Sequence, residues 1–184
     1  MSVILDIQKK IEDFKHDCQI LCESMMISEG GLNPILMMLI EKDGELVAAV
    51  APTIGESYNK DNKSLVRNVI ANIIEKMKPI AIGIASESWL IVRPTKEDVD
   101  FTTPVSEQED RKEAVCIQFE TYNSSSLVVL DIIRNGDNIE LVKDTVLSSD
   151  VDKSQTEGTF CNLLNVNYEK FYKELETKIK NSLN

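Results

Sequence analysis

Glu87 and Trp89 break an otherwise apolar strand. The run Ile80-Ala81-Ile82-Gly83-Ile84-Ala85 reads as buried, takes on Ser86-Glu87-Ser88-Trp89, and returns to Leu90-Ile91-Val92. A carboxylate there is costly unless something matches its charge. A desolvated glutamate beside an indole can also titrate above its ordinary range, which acid–base chemistry would use. Counter-charges stand in Asp110-Arg111-Lys112-Glu113, at the end of an acidic connection over 94–112. Arg111 is the preferred partner, because a guanidinium fork fits a carboxylate better than an ammonium does. Such a pair could line a pocket beside Trp89, or it could be an ion pair that fixes the loop to the sheet. Residues two apart in a strand share a face. Glu87, Trp89 and Arg93 therefore point one way, beyond the small residues Ala81, Gly83 and Ala85. The candidate binding residues are Glu87, Trp89, Arg93, Asp110, Arg111 and Glu113. No nucleophile or second base accompanies them, so no catalytic residue is assigned.

The same segment carries a resemblance. Ser86-Glu87-Ser88-Trp89, followed by Ser106-Glu107-Gln108-Glu109-Asp110-Arg111-Lys112-Glu113-Ala114, resembles a pattern in small uncharacterised phage and bacterial proteins. In that pattern a Ser-Glu-Ala-Trp strand precedes a loop ending in Asp-Arg-x-Glu-Ala. Ser88 stands where the pattern more often has Ala, and Glu109 where it more often has Pro. The match spans about a fifth of the chain. It implies that Glu87, Trp89, Asp110, Arg111 and Glu113 belong together, and it supplies no activity.

Other chemistry-bearing residues form no complete set. Cys18 and Cys22 lie one helical turn apart and could ligate a metal or form a redox pair. No His or Cys cluster completes a metal site, and both flank an apolar stripe, as buried thiols do. His16 is the only histidine. It falls opposite that stripe, which argues against a His-based triad. Asp150-Val151-Asp152-Lys153-Ser154 opens like a calcium loop, but Gln155 and Cys161 stand where the loop needs glycine and an acid. The acids Glu97, Asp98, Asp100, Glu107, Glu109 and Asp110 read as a solvated loop. Gly30-Gly31 and Gly55 lack the lysine and spacing of a phosphate loop. No cofactor and no metal is expected.

Composition narrows the class further. The chain has 184 residues, 42% hydrophobic and 28% charged, with a formal net charge of −11. That length suits one domain, residues 1–184. The acidic balance and the lack of a basic stripe argue against nucleic acid. No apolar run is long enough to span a bilayer, so no membrane segment is expected. The N-terminus lacks an export signal, and the four cysteines show no secreted framework. The expected compartment is the cytoplasm.

The elements that must position Glu87 follow from periodicity. Ile4, Ile7, Ile11, Phe14, Cys18, Leu21 and Met25 give a helix over 4–28 that ends at Gly30-Gly31. Its stripe packs on the domain's own sheet or forms a homodimer seam. Ile35–Ile40 and Glu45–Val50 form a hairpin around Lys42-Asp43-Gly44. Leu65, Val66, Val69, Ile70, Ile73, Ile74 and Met77 mark a second helix, stopped by Pro79. Strands over 113–122, 127–134 and 139–147 form a meander. Ser148–Gly158 reads as a polar loop. Tyr168, Phe171, Tyr172, Leu175 and Ile179 mark a third helix over 167–182.

The expected fold is α+β: one antiparallel sheet of five to six strands, flanked by three helices, in the order α-β-β-α-β-β-β-β-α. By analogy it is profilin-like or roadblock-like. The expected function is a non-enzymatic protein-interaction module with a protein partner, encoded by a phage or mobile element. The alternatives are a small hydrolase using Glu87 with Arg111, and a profilin-like sensor holding a ligand between sheet and helix.

Overall fold

The computed structural model describes residues 3–51, 63–91, 102–121, 124–136, 138–145, 147–151, 163–164 and 177. In chain order they form α1 (Val3–Glu29), β1 (Ile35–Lys42), β2 (Glu45–Ala51), α2 (Lys63–Met77), β3 (Ala81–Leu90), a 3-10 turn (Val105–Glu107), β4 (Lys112–Thr121), β5 (Ser125–Asn135), β6 (Asn138–Lys143) and β7 (Ser149–Val151). The class is α+β. One seven-stranded sheet runs β2-β1-β3-β4-β5-β6, with β7 pairing β5. Every pairing is antiparallel.

The two helices take opposite faces. On one face, Ile7, Ile11, Phe14, Cys18, Cys22 and Met26 of α1 bury against Met37, Ala81, Ala85, Val115, Phe119 and Leu130. On the other, Val66, Ile70 and Ile74 of α2 bury against Leu36, Met38, Ile82 and Ile84. Strands covered on both sides lose the usual alternation. That is why all of Ile35–Ile40 is buried, whereas β2 at the edge stays partly wet.

Two expectations change. The apolar stripe of α1 passes through Cys22 and Met26, with Leu21 and Met25 only partly buried. A stripe stepping in fours follows the 3.6-residue period of a helix on a sheet, not the 3.5-residue repeat of a coiled coil. The sheet has seven strands instead of five to six. The extra one, β7, lies where the sequence reads as a polar loop: Ser125–Leu127 leave an edge that Ser149–Val151 fill. The third helix expected over 167–182 lies outside the described residues, apart from Thr177.

Local chemistry closes the elements as expected. Asp43 and Gly44 both take positive φ in the β1–β2 turn, 54° and 86°, the geometry that suits a two-residue hairpin. Gly30 ends α1 at φ 76°, a left-handed position that favours glycine. Gly83 packs closely: a Cβ there would stand 3.0 Å from the ring of Phe119, which would have to give way. That ring meets Phe14 edge-on at 6.4 Å, which brings α1 down onto β3 and β4. No helix among the described residues is long and apolar enough to cross a membrane.

Candidate functional site

The corner opened by Glu87 is built on three adjacent strands. Glu87 lies opposite Val115 and Trp89 opposite Glu113 across β3–β4, and Val115 lies opposite Leu130 across β4–β5. Glu87, Trp89, Glu113 and Arg134 therefore share the α1 face of the sheet, just past the helix's C-terminal end. Arg134 stands two strands across from Glu87, about 9.6 Å, and four residues further along β5 than Leu130, which is level with Glu87, about 13 Å more. Two long side chains close that span.

Arg134 is the counter-charge. Its Nη2 lies 3.3 Å from Glu87 Oε1. Its Nε and Nη2 donate to the two oxygens of Glu113 at 2.8 and 3.2 Å, a two-pronged fit. Its Nη1 donates to the backbone carbonyl of Gly30 at 3.1 Å. Glu87 Oε2 accepts the backbone N–H of Leu32 at 3.2 Å. One guanidinium and one carboxylate thus clasp the Gly30-Gly31-Leu32 connection to the sheet. Gly31 belongs to the same fit: a Cβ there would meet Glu87 Oε2 at 3.4 Å.

The two carboxylates diverge in character. Burial pushes Glu87 above the ordinary glutamate value, and the neighbouring Glu113 adds to the rise; the Leu32 N–H and Arg134 only partly offset it. The Arg134 hydrogen bonds hold Glu113 below that value, against its own burial. One guanidinium cannot serve two carboxylates equally, and Glu113 holds the better geometry.

This has a consequence for stability. A glutamate raised in the folded state binds its proton more tightly there than in the unfolded chain. Its contribution is present at low pH and is lost as pH rises through the folded pKa. The depressed Glu113 behaves oppositely: its contribution is present above the unfolded value and is lost as pH falls. Glu87→Gln mimics the protonated form at every pH. Relative to the parent protein, its melting temperature should rise between pH 4.5 and pH 7. A relative fall over that interval would show that ionised Glu87 is favoured in the folded state.

The remaining candidates fall into a second, adjacent group. Arg111 does not reach Glu87. Its guanidinium carbon sits 4.9 Å from the centre of the Trp89 ring, and its Nη1 donates to the Gln108 carbonyl at 2.9 Å. Asp110 is exposed in the turn before it. Lys112 projects to the opposite face, where Asp131 lies 2.8 Å away and Asp144 is closer still. Burial works to lower the Lys112 pKa, but the two aspartates outweigh it and raise the ammonium above its ordinary value. Arg93 lies outside the described residues.

Arg134 is the residue that sequence reasoning missed. A signal existed: Ser126, Val128, Leu130 and Ile132 alternate toward one face, and Arg134 is the next position on it. Read across a meander, that face is also the face of Glu87.

The thiols and acids offer little chemistry. Cys18, Cys22 and Cys116 are free. Burial raises the Cys22 pKa to about 12 and that of Cys18 higher still. Burial also raises Cys116, against a hydrogen bond with Ser88. Such thiols are poor nucleophiles at neutral pH. No group of His, Cys, Asp and Glu able to hold a metal occurs among the described residues. No protein family, no curated protein and no solved structure matches the chain.

Proposed function

We propose that the protein is a non-enzymatic interaction module that receives a protein partner on the surface around Trp89. The observation that carries this reading is an exposed indole stacked with a guanidinium. Trp89 is 43% exposed at the end of a strand whose first half is fully buried. Arg111 lies over its ring, and the clasp beneath it is built from other residues. Trp and Arg are the side chains most often found to dominate binding interfaces. Val105, also exposed, lies on the 3-10 turn that packs against β3. Glu107, Glu109 and Asp110, all exposed, put negative charge on the connection that leads to Arg111. The matching partner presents an apolar anchor ringed by basic residues.

The resemblance carried by Ser86–Trp89 and Asp110–Ala114 makes a phage or bacterial protein the partner to seek. A homodimer through α1 would use Ile20 and Ile27, seven residues apart and both exposed, because the buried stripe is committed to the sheet. A hydrolase built on Glu87 with Arg111 lacks its ion pair: Glu87 is held by Arg134 and Leu32.

Affinity capture from a bacterial host, comparing the parent with Trp89→Ala and Arg111→Glu, tests the reading. Each substitution should reduce recovery of a specific partner about tenfold, with little change in melting temperature. Equal recovery by all three proteins would refute a role for this surface.

A further inference from the structure

The two outer edges of the sheet are built differently. At one, β6 carries Glu140 and Lys143, charges of the kind that keep a sheet edge from pairing with another chain. At the other stands β2. Its sequence, Glu45-Leu46-Val47-Ala48-Ala49-Val50-Ala51, holds one charge, at its first residue, and no proline. Among the described residues, no strand pairs with its outer side. The hairpin decides which backbone groups that side offers. The two-residue turn at Asp43-Gly44 makes Lys42 and Glu45 a hydrogen-bonded pair. Such pairs recur at every second residue. Glu45, Val47, Ala49 and Ala51 therefore direct their N–H and C=O groups to β1, and Leu46, Ala48 and Val50 turn theirs outward. The side chains of Ala48 and Val50 are exposed as well.

Helix α2 widens this edge into an apolar surface. β2 and β3 are parallel, since each runs antiparallel to β1 between them, and α2 joins them. Crossovers of this kind are right-handed. That hand turns the flank of α2 bearing Leu65, Val69 and Ile73 toward β2 rather than β4. Ile73 accordingly packs in one cluster with Val47, Ala49 and Ala51, while Leu65 and Val69 stay exposed. We infer that β2 pairs antiparallel with β2 of a second copy of this chain, about a two-fold axis that passes through the sheet at Ala48. Ala48 then faces its own copy, and Leu46 of each chain faces Val50 of the other, each pair exchanging two backbone hydrogen bonds. Every outward backbone group of β2 finds a partner in this register. Paired residues keep the same face, so the sheet runs on across the axis with both α2 helices on one side. A second copy fits better than an arbitrary peptide, because it brings its own flank of Leu65 and Val69 to face the first across the joined strands. Charge permits the pairing: Glu45 falls opposite Ala51, so no like charges meet in the joined strands. The formal net charge of −11 on each chain opposes association, and added salt screens that repulsion. A seven-residue edge alone buries less than the roughly 800 Å² per partner of stable complexes. The dimer is therefore concentration-dependent and strengthened by salt. It leaves the stripe of α1 on the sheet, and it uses neither Trp89 nor Arg111.

Sedimentation velocity of the full chain, from micromolar to near-millimolar concentration, tests the pairing. The expected result for the parent is a monomer–dimer equilibrium. Ala48→Pro removes an outward N–H and is tolerated on an edge strand, so it should weaken association about tenfold or more with little change in the monomer's melting temperature. Ala48→Lys sets like charges directly opposite each other at the axis and should weaken association as much. It also stands in for Ala48→Pro should that variant fail to fold. Cross-linking reads the register. Under mild oxidation Ala48→Cys should give a disulfide-linked dimer, because the Cα atoms of a hydrogen-bonded pair stand about 5.5 Å apart. Leu46→Cys should not, because each copy of residue 46 lies four residues along the strands from the other. A monomer at every concentration, or equal cross-linking by the two cysteine variants, would overturn the pairing. So would a dimer that survives both Ala48→Pro and Ala48→Lys; its loss in Ile27→Lys would place the contact on α1 instead.

Discussion

Arg134→Met should lower the unfolding free energy by about 2 kcal/mol, whereas Arg111→Met should leave it within about 0.5 kcal/mol. Methionine keeps the aliphatic stem that Arg134 lays on the sheet and removes only the guanidinium. That loss leaves Glu87 and Glu113 facing each other without a cation, and it leaves the Gly30 carbonyl without its donor. Removing one partner of a fully buried pair costs about 3–5 kcal/mol. Arg134 is 37% exposed, so solvent screens part of the interaction and the smaller figure applies. Urea unfolding at pH 7 measures both variants. Equal losses would mean that Arg111 shares the clasp. No loss in Arg134→Met would mean that the connection after α1 is held by packing alone. Hydrogen exchange adds a local readout, since the Leu32 amide should exchange faster in Arg134→Met if Glu87 swings away.

Glu120→Ala should cost more, about 3 kcal/mol. Glu120 is 2% exposed on the α2 face of β4. Its two oxygens accept the backbone N–H groups of Leu163 and Leu164, each at 3.0 Å. Leu164 is itself buried among the α2 and sheet residues, so water cannot readily replace the lost acceptors. Each orphaned N–H costs about 1–3 kcal/mol. Glu120→Gln keeps one carbonyl oxygen and should lose only about 1 kcal/mol by the same reasoning. Chemical denaturation of the two variants reads the difference. If both stay within about 0.5 kcal/mol of the parent, the Leu163–Leu164 segment is held by its side chains and the carboxylate is incidental.

These two glutamates show how a buried acid is read. Both stand in strands that are largely apolar. Each is matched by backbone N–H groups from a distant segment: Leu32 for Glu87, and Leu163 with Leu164 for Glu120. Only Glu87 attracted notice in the sequence, because Ser-Glu-Ser-Trp interrupts a long apolar run. Glu120 sits in Gln118-Phe119-Glu120-Thr121, an ordinary alternation whose polar residues would normally face water. Its burial depends on the chain returning from residue 163 to cover that face.

The strand–helix order up to β6 was legible in the residues. Apolar periodicity, Gly30-Gly31, Asp43-Gly44 and Pro79 are local signals, and each acts within a few residues of where it stands. The prediction that Glu87 and Trp89 share a face with Ala81, Gly83 and Ala85 follows from the two-residue repeat of a strand alone. The tertiary structure decided the rest. Whether Glu87 meets Arg111 or Arg134 depends on the register of β3 with β4 and of β4 with β5. A one-residue slip in either would turn the arginine to the opposite face. Whether Ser149–Val151 is a loop or a strand depends on an unfilled length of β5 edge that only sheet assembly creates. The sequence determined which residues needed a partner; the pairing of β3 and of β5 with the β4 strand between them brought Glu87 to Arg134, 47 residues away.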